Sequence, residues 1–185
     1  MKLVVPPALF LALTACIPQK SSLPVYYDVS PFELISQDGQ PFHSDVLRGK
    51  VWVADFIYTT CPGPCPRMTS QMREVQDATI KIADVKLVSF TVDPARDTPA
   101  VLAEYAKTHR ASAEHWYFLT GPEETLQKLD RDTFKLGNVD ATLQHSTRFV
   151  LVDRQSRIRG YYDTSESQAI PRLINDIYAL VREHS

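Results

Sequence analysis

An almost unbroken run of apolar and β-favouring residues, Val51-Trp52-Val53-Ala54-Asp55-Phe56-Ile57-Tyr58, leads into Thr60-Cys61-Pro62-Gly63-Pro64-Cys65-Pro66. A strand that is apolar on both parities must be covered on both faces, so the chain needs layers above and below its sheet. Three of the 13 prolines fall within five residues of the loop and stiffen it. Behind it, Met68, Met72, Val75 and Thr79 recur at helical spacing. Pro66 suits a first helical position, and the pattern predicts a helix from about Pro66 to Ala83. Two thiols therefore sit on a stiff loop between a buried strand and a helix start. The free N–H groups and the positive dipole end there favour thiolates.

The flanking segments complete an alternating pattern. Phe32–Ile35 and Pro41-Phe42 around Asp38-Gly39 read as a β-hairpin, and Ser44 is placed to cap a short turn through Leu47 that ends at Gly49. Lys86–Val92 is a second buried strand, ending at Asp93-Pro94. Thr98-Pro99 opens a helix to about His109, as a cap followed by proline. His115–Leu119 is a strand, Pro122-Glu123-Glu124 starts a helix, and Thr147–Val152 with Arg157–Tyr162 reads as a hairpin. Pro171–Glu183 is an amphipathic closing helix. Strands alternating with helices predict an α/β fold with a central mixed sheet flanked by helices. A hairpin ahead of a strand, thiol loop and helix, with a hairpin and helix at the end, resembles the thioredoxin-like class.

The N-terminal residues belong to export. Lys2 precedes an apolar stretch, Leu3–Leu13, too short to span a bilayer and broken by Pro6-Pro7. Leu13-Thr14-Ala15-Cys16 resembles the lipobox of bacterial lipoproteins, so residues 1–15 are expected to be a signal peptide and Cys16 to carry lipid. Residues 16–31 then form a tether and extended arm, and residues 32–185 the folded domain. Lipid on Cys16 leaves one pair from an odd count of three cysteines. The site is expected in the bacterial cell envelope, outside the cytoplasmic membrane. Net charge is −2, or −2 − 1 = −3 once Lys2 is removed, and there is no basic tract. Nucleic acid is thus a poor partner, and a monomer is expected.

The thiols are spaced CxxxC rather than CxxC. They suit a structural disulfide, a redox-active pair or a shared metal. Iron–sulfur clusters want four cysteines and structural zinc a fourth ligand, whereas copper is served by two thiolates and an imidazole. Five histidines are available. His109 and His184 sit at predicted helix ends, where a cation complements the dipole. His43 and His115 flank strands and read as surface residues. His145 lies directly before the strand Thr147–Val152, at a loop edge that faces the thiols in a thioredoxin-like fold. A proline usually occupies that edge, but this chain has none between Pro122 and Pro171. Met68 and Met72 fit a core stripe better than a pair of thioether ligands. Asp93 ends a strand beside the loop, where it either orients a ligand or only starts the Asp-Pro turn. Arg96 and Asp97 read as parts of that turn.

Three motifs in order, Thr60-x-Cys61-Pro62-x-x-Cys65-Pro66, Val92-Asp93-Pro94-x-Arg96-Asp97-Thr98-Pro99 and His145-Ser146 leading to Leu151-Val152-Asp153, resemble the Sco/SenC family of copper proteins. The resemblance implies a thioredoxin-like fold and a copper ion held by Cys61, Cys65 and His145, with Asp93 beside the site. It implies copper delivery to the binuclear copper site of cytochrome c oxidase subunit II, as a metallochaperone rather than an enzyme. The alternative is a thiol–disulfide oxidoreductase in which Cys61 and Cys65 close a disulfide and keep that site's cysteines reduced. Pro64, directly before Cys65, departs from the family's usual loop.

Overall fold

The computed structural model describes residues 22–137 and 146–183. The expectations for Cys16, His145 and His184 fall outside them. Seven strands form one mixed sheet: β1 (Glu33–Ser36), β2 (Pro41–His43), β3 (Val51–Ile57), β4 (Val85–Thr91), β5 (Trp116–Thr120), β6 (Arg148–Val152) and β7 (Ile158–Asp163). Their order is β2-β1-β5-β4-β3-β6-β7. Four helices join them: α1 (Cys65–Thr79), α2 (Pro99–Thr108), α3 (Glu123–Lys128) and α4 (Ala169–Arg182). The expected α/β architecture with an N-terminal hairpin is present. Gly39 supplies the positive φ, 77°, that the hairpin turn requires.

β3 is buried at every position, as its doubly apolar run demands. Alternate residues enter two cores. Val51, Val53 and Ile57 pack under α1, α2 and α4 with Met68, Met72, Leu102, Leu173 and Ile177. Trp52, Ala54 and Phe56 pack on the other face with Phe32, Phe90, Leu126 and Phe134. Burying side chains of this size stabilises by roughly 1.5–3 kcal/mol each.

Some boundaries differ from the pattern. α1 begins at Cys65, so Pro66 is its second residue, and Pro64 holds the cap position with helical dihedrals. Proline is tolerated there because first-turn N–H groups have no partner inside the helix. The helix stops at Thr79, not Ala83: Ile82 N–H donates to Thr79 C=O (2.8 Å) and Val85 N–H to Ile82 C=O (3.0 Å), a tight turn into β4. Ser44 does not cap its short 3-10 turn; its Oγ accepts instead from Phe32 N–H at 3.0 Å. α3 runs on into a π-helical turn, Leu129–Thr133.

β3 and β4 pair in parallel from Val51↔Val85 to Ile57↔Thr91. Val92 N–H then donates to Ile57 C=O at 2.8 Å. Both strands end at one level, so the thiol loop and the Asp93–Thr98 loop leave side by side at the carboxyl edge of the sheet, the usual position for an α/β site.

The N-terminal arm before β1 is held to the start of the outer strand β7 and the turn before it. Tyr26 N–H donates to Ile158 C=O (2.9 Å), Ile158 N–H to Tyr27 C=O (2.7 Å) and Val29 N–H to Ser156 C=O (2.7 Å). The buried Arg159 guanidinium ties the arm down, donating to the carbonyls of Leu23 (2.9 Å) and Pro24 (3.0 Å) and to Asp153 Oδ2 (2.9 Å). It also reaches Glu183 Oε2 beyond α4, at 3.2 Å.

Candidate metal centre

β3 delivers Tyr58 to the sheet edge, and the chain turns so that Cys61 N–H donates back to Tyr58 C=O at 3.2 Å. Cys65 enters α1 as its first residue. Neither cysteine is in a disulfide; Cys61 is 8% exposed and Cys65 fully buried. The structure brings them into hydrogen-bond contact. Burial pushes the Cys61 thiol upward, but hydrogen bonds from the Cys65 thiol, the Cys65 and Gly63 N–H groups and the Tyr58 hydroxyl outweigh it and hold Cys61 below its ordinary value. Cys65 is raised, first by burial, then because its proton is committed to Cys61. Of the two adjacent sulfurs, Cys61 is thus the one biased toward thiolate and Cys65 the buried donor beside it. The Pro64 insert does not disturb this arrangement: its carbonyl accepts Met68 N–H at 3.0 Å, and Gly63 needs no positive φ.

Asp93 is 6% exposed and its carboxylate accepts from Arg96 at 2.7 Å. Its carbonyl takes the N–H groups of Arg96 and Asp97 at 3.1 and 2.9 Å, so it does start the Asp-Pro turn. Its charge also acts on Tyr58: the Tyr58 hydroxyl is raised first by burial, then by its bond to Cys61 and the charges of Cys61, Cys65 and Asp93.

Two acidic residues near the thiols do more than the sequence suggests, where Asp97 reads only as part of the Asp-Pro turn and Asp55 only as a strand residue. Asp97, fully buried, accepts from Thr59 N–H (3.1 Å), Thr59 Oγ1 (2.5 Å) and Thr91 Oγ1 (2.5 Å). The hydroxyls at the ends of two adjacent buried strands were the available signal. Asp55 lies on the face of β3 that carries Val53 and Ile57. Its Oδ1 accepts from Ser89 (2.6 Å), which accepts from the Trp116 indole (2.9 Å), and its Oδ2 is buried with no partner among the described residues. Burial pushes this carboxyl up to about 7, and its charge raises Cys65 in turn. A lone acid inside an apolar strand was its signal.

Met68 and Met72 are core residues, both fully buried. His115 is buried rather than at the surface: its Nε2 lies 3.0 Å from Thr79 Oγ1, and burial lowers it to about 4. His109 does end α2, and burial against Tyr105 lowers its pKa, which disfavours the charged form. His43 is exposed, with Nδ1 3.6 Å from Glu33. Among the described residues no three His, Cys, Asp or Glu side chains converge as a metal cluster. β6 runs antiparallel to β3, so its first residue, Arg148, lies at the sheet end from which the thiol loop departs.

The SCO1/SenC family model matches residues 24–182. The chain belongs to the SCO1/SenC family. A SCO1/SenC family lipoprotein from Bacillus anthracis superposes with a TM-score of 0.77 at 33% identity, covering 84% of this chain and 95% of that one. BsSco, a member of the Sco family of cytochrome c oxidase assembly proteins in which a disulfide switch has been identified, gives 0.77 at 31%, covering 88% and 98%. ScoI of Bradyrhizobium japonicum, solved with copper bound, gives 0.68 at 25%, covering 83% and 99%. This SCO1/SenC chain shares the fold of those proteins. No helix among its described residues is long and apolar enough to cross a membrane.

Proposed function

We propose that this SCO1/SenC protein is a copper metallochaperone that loads or matures the binuclear copper site of cytochrome c oxidase subunit II. The observation that carries the reading is the pair of adjoining thiols, not joined in a disulfide, at the carboxyl edge of the sheet, with Cys61 held toward thiolate. Soft, paired sulfur donors suit copper, and the copper-bound relative supports the choice. Cys61, Cys65 and His145 would hold the ion, with Asp93 in support beside them. His145 stands three residues before β6, within about 11 Å of chain. Three ligands at an edge leave an approach for a receiving protein's donors. Cys16 would carry the lipid that tethers the domain to the membrane, outside the cytoplasm; the lipoprotein relative supports this anchor.

Anaerobic Cu(I) titration of the reduced protein tests the ligand set. The His145→Ala variant is expected to bind at least tenfold more weakly, a loss of about 1.4 kcal/mol, with altered absorption bands. Equal affinity and identical bands would remove His145 from the set.

A second reading, reduction of the oxidase's cysteines, is favoured by the split between the two thiols. Cys61 would attack a disulfide and Cys65 would resolve it. Turnover by metal-free protein that survives His145→Ala would mark this activity.

A further inference from the structure

We propose that Asp97 is the residue that positions Cys61, by clamping the thiol loop to the end of β4. The two thiols are fixed in different ways. Cys65 is built into the first turn of α1. Cys61 sits on the turn that follows β3, closed by its own N–H to Tyr58 C=O. Thr59 lies inside that turn, and Asp97 takes both of its donors, the backbone N–H at 3.1 Å and the hydroxyl at 2.5 Å. Thr91, the last residue of β4, supplies the third donor at 2.5 Å. A fully buried carboxylate thereby joins the ends of two adjacent strands.

The turn around Asp97 does not use this carboxylate. Its closing bonds are backbone ones: Arg96 N–H and Asp97 N–H donate to Asp93 C=O, and Thr98 N–H to Arg96 C=O. Every bond the side chain makes to described residues goes to Thr59 or Thr91. A burial this costly without local use is explained by the loop it holds. By restraining Thr59, two residues before Cys61, Asp97 keeps the Cys61 sulfur beside Cys65 and favours closure of the five-residue ring.

Closure is measured in metal-free protein against oxidised glutathione. The two protein S–H bonds and the glutathione S–S bond break; the protein S–S bond and two glutathione S–H bonds form. Thr59→Val keeps the side-chain shape and deletes one loop-side donor; Asp97→Asn removes the carboxylate; Thr91→Val deletes only the strand-side donor. The equilibrium constant for closure is expected to fall about threefold or more in Thr59→Val and Asp97→Asn, because a freed Cys61 spends less time near Cys65. Thr91→Val is expected to lower Tm with a smaller change in that constant. Thr59→Val is conservative enough to decide the matter if Asp97→Asn does not fold. A constant unchanged in Thr59→Val, or lowered equally by Thr91→Val at matched Tm, overturns the proposal. The readout needs no copper, so its failure leaves the copper reading standing, and failure of copper binding leaves the clamp standing.

Discussion

Asp55 shows what one buried carboxyl does to a whole stability profile. Its folded form keeps its proton up to about 7, against an ordinary 3.8, because burial disfavours the charge. Between those values the folded chain holds a proton that the unfolded chain has released. Its contribution is therefore complete below about pH 4 and lost as pH rises through about 7. Asp55→Asn removes this dependence, so the variant should gain on the parent by roughly 2–3 kcal/mol between about pH 5 and pH 8. Urea denaturation at the two pH values checks it; parallel curves would mean that Asp55 is already ionised inside the fold. The thiols give a second test at the same scale. Cys61, lowered and slightly exposed, should carry nearly all alkylation by iodoacetamide near neutral pH. Cys61→Ser is expected to reduce the rate at least tenfold and Cys65→Ser to leave a reactive thiol; peptide mapping of the modified chain separates the two.

At the scale of elements, β3, the thiol loop and α1 were legible because prolines, cysteines and a doubly apolar run are local signals. The end of α1 was not, since Ile80 and Ile82 continue an apolar pattern that the turn into β4 interrupts. Asp97 and Arg159 were illegible for a different reason. A charged residue in a sequence reads as solvated until its partners are known, and the Arg159 partners Leu23 and Pro24 lie 136 and 135 residues away. His115 was misread likewise: its position before β5 looked peripheral, but the end of α1 covers it. Arg159 also joins four segments, because from β7 its guanidinium reaches acceptors in the turn before that strand, in the N-terminal arm and at the end of α4. Arg159→Met should cost about 3–5 kcal/mol, since it leaves Asp153 and two carbonyls with lost partners. Chemical denaturation measures it, and a cost under about 1 kcal/mol would reduce Arg159 to a surface ion pair.

Across the whole molecule, the parallel register of β3 and β4 does the most for function. It sets the thiol loop and the Asp93–Thr98 loop at one edge, and the antiparallel β6 brings the chain back to that edge just after His145. The first two motifs thus share a spatial origin in strand order, and β6 starts at the same edge, which local patterns alone do not reveal. The N-terminal arm acts at the same scale. An outer strand with unpaired N–H and C=O groups is a template for another chain, and β7 has part of its rim occupied by residues 26–29. A fragment cut at Phe32 would uncover that rim and strip Arg159 of two acceptors at once. Such a fragment would self-associate through the exposed rim, whereas a chain beginning upstream of Leu23 carries its own seal against polymerisation.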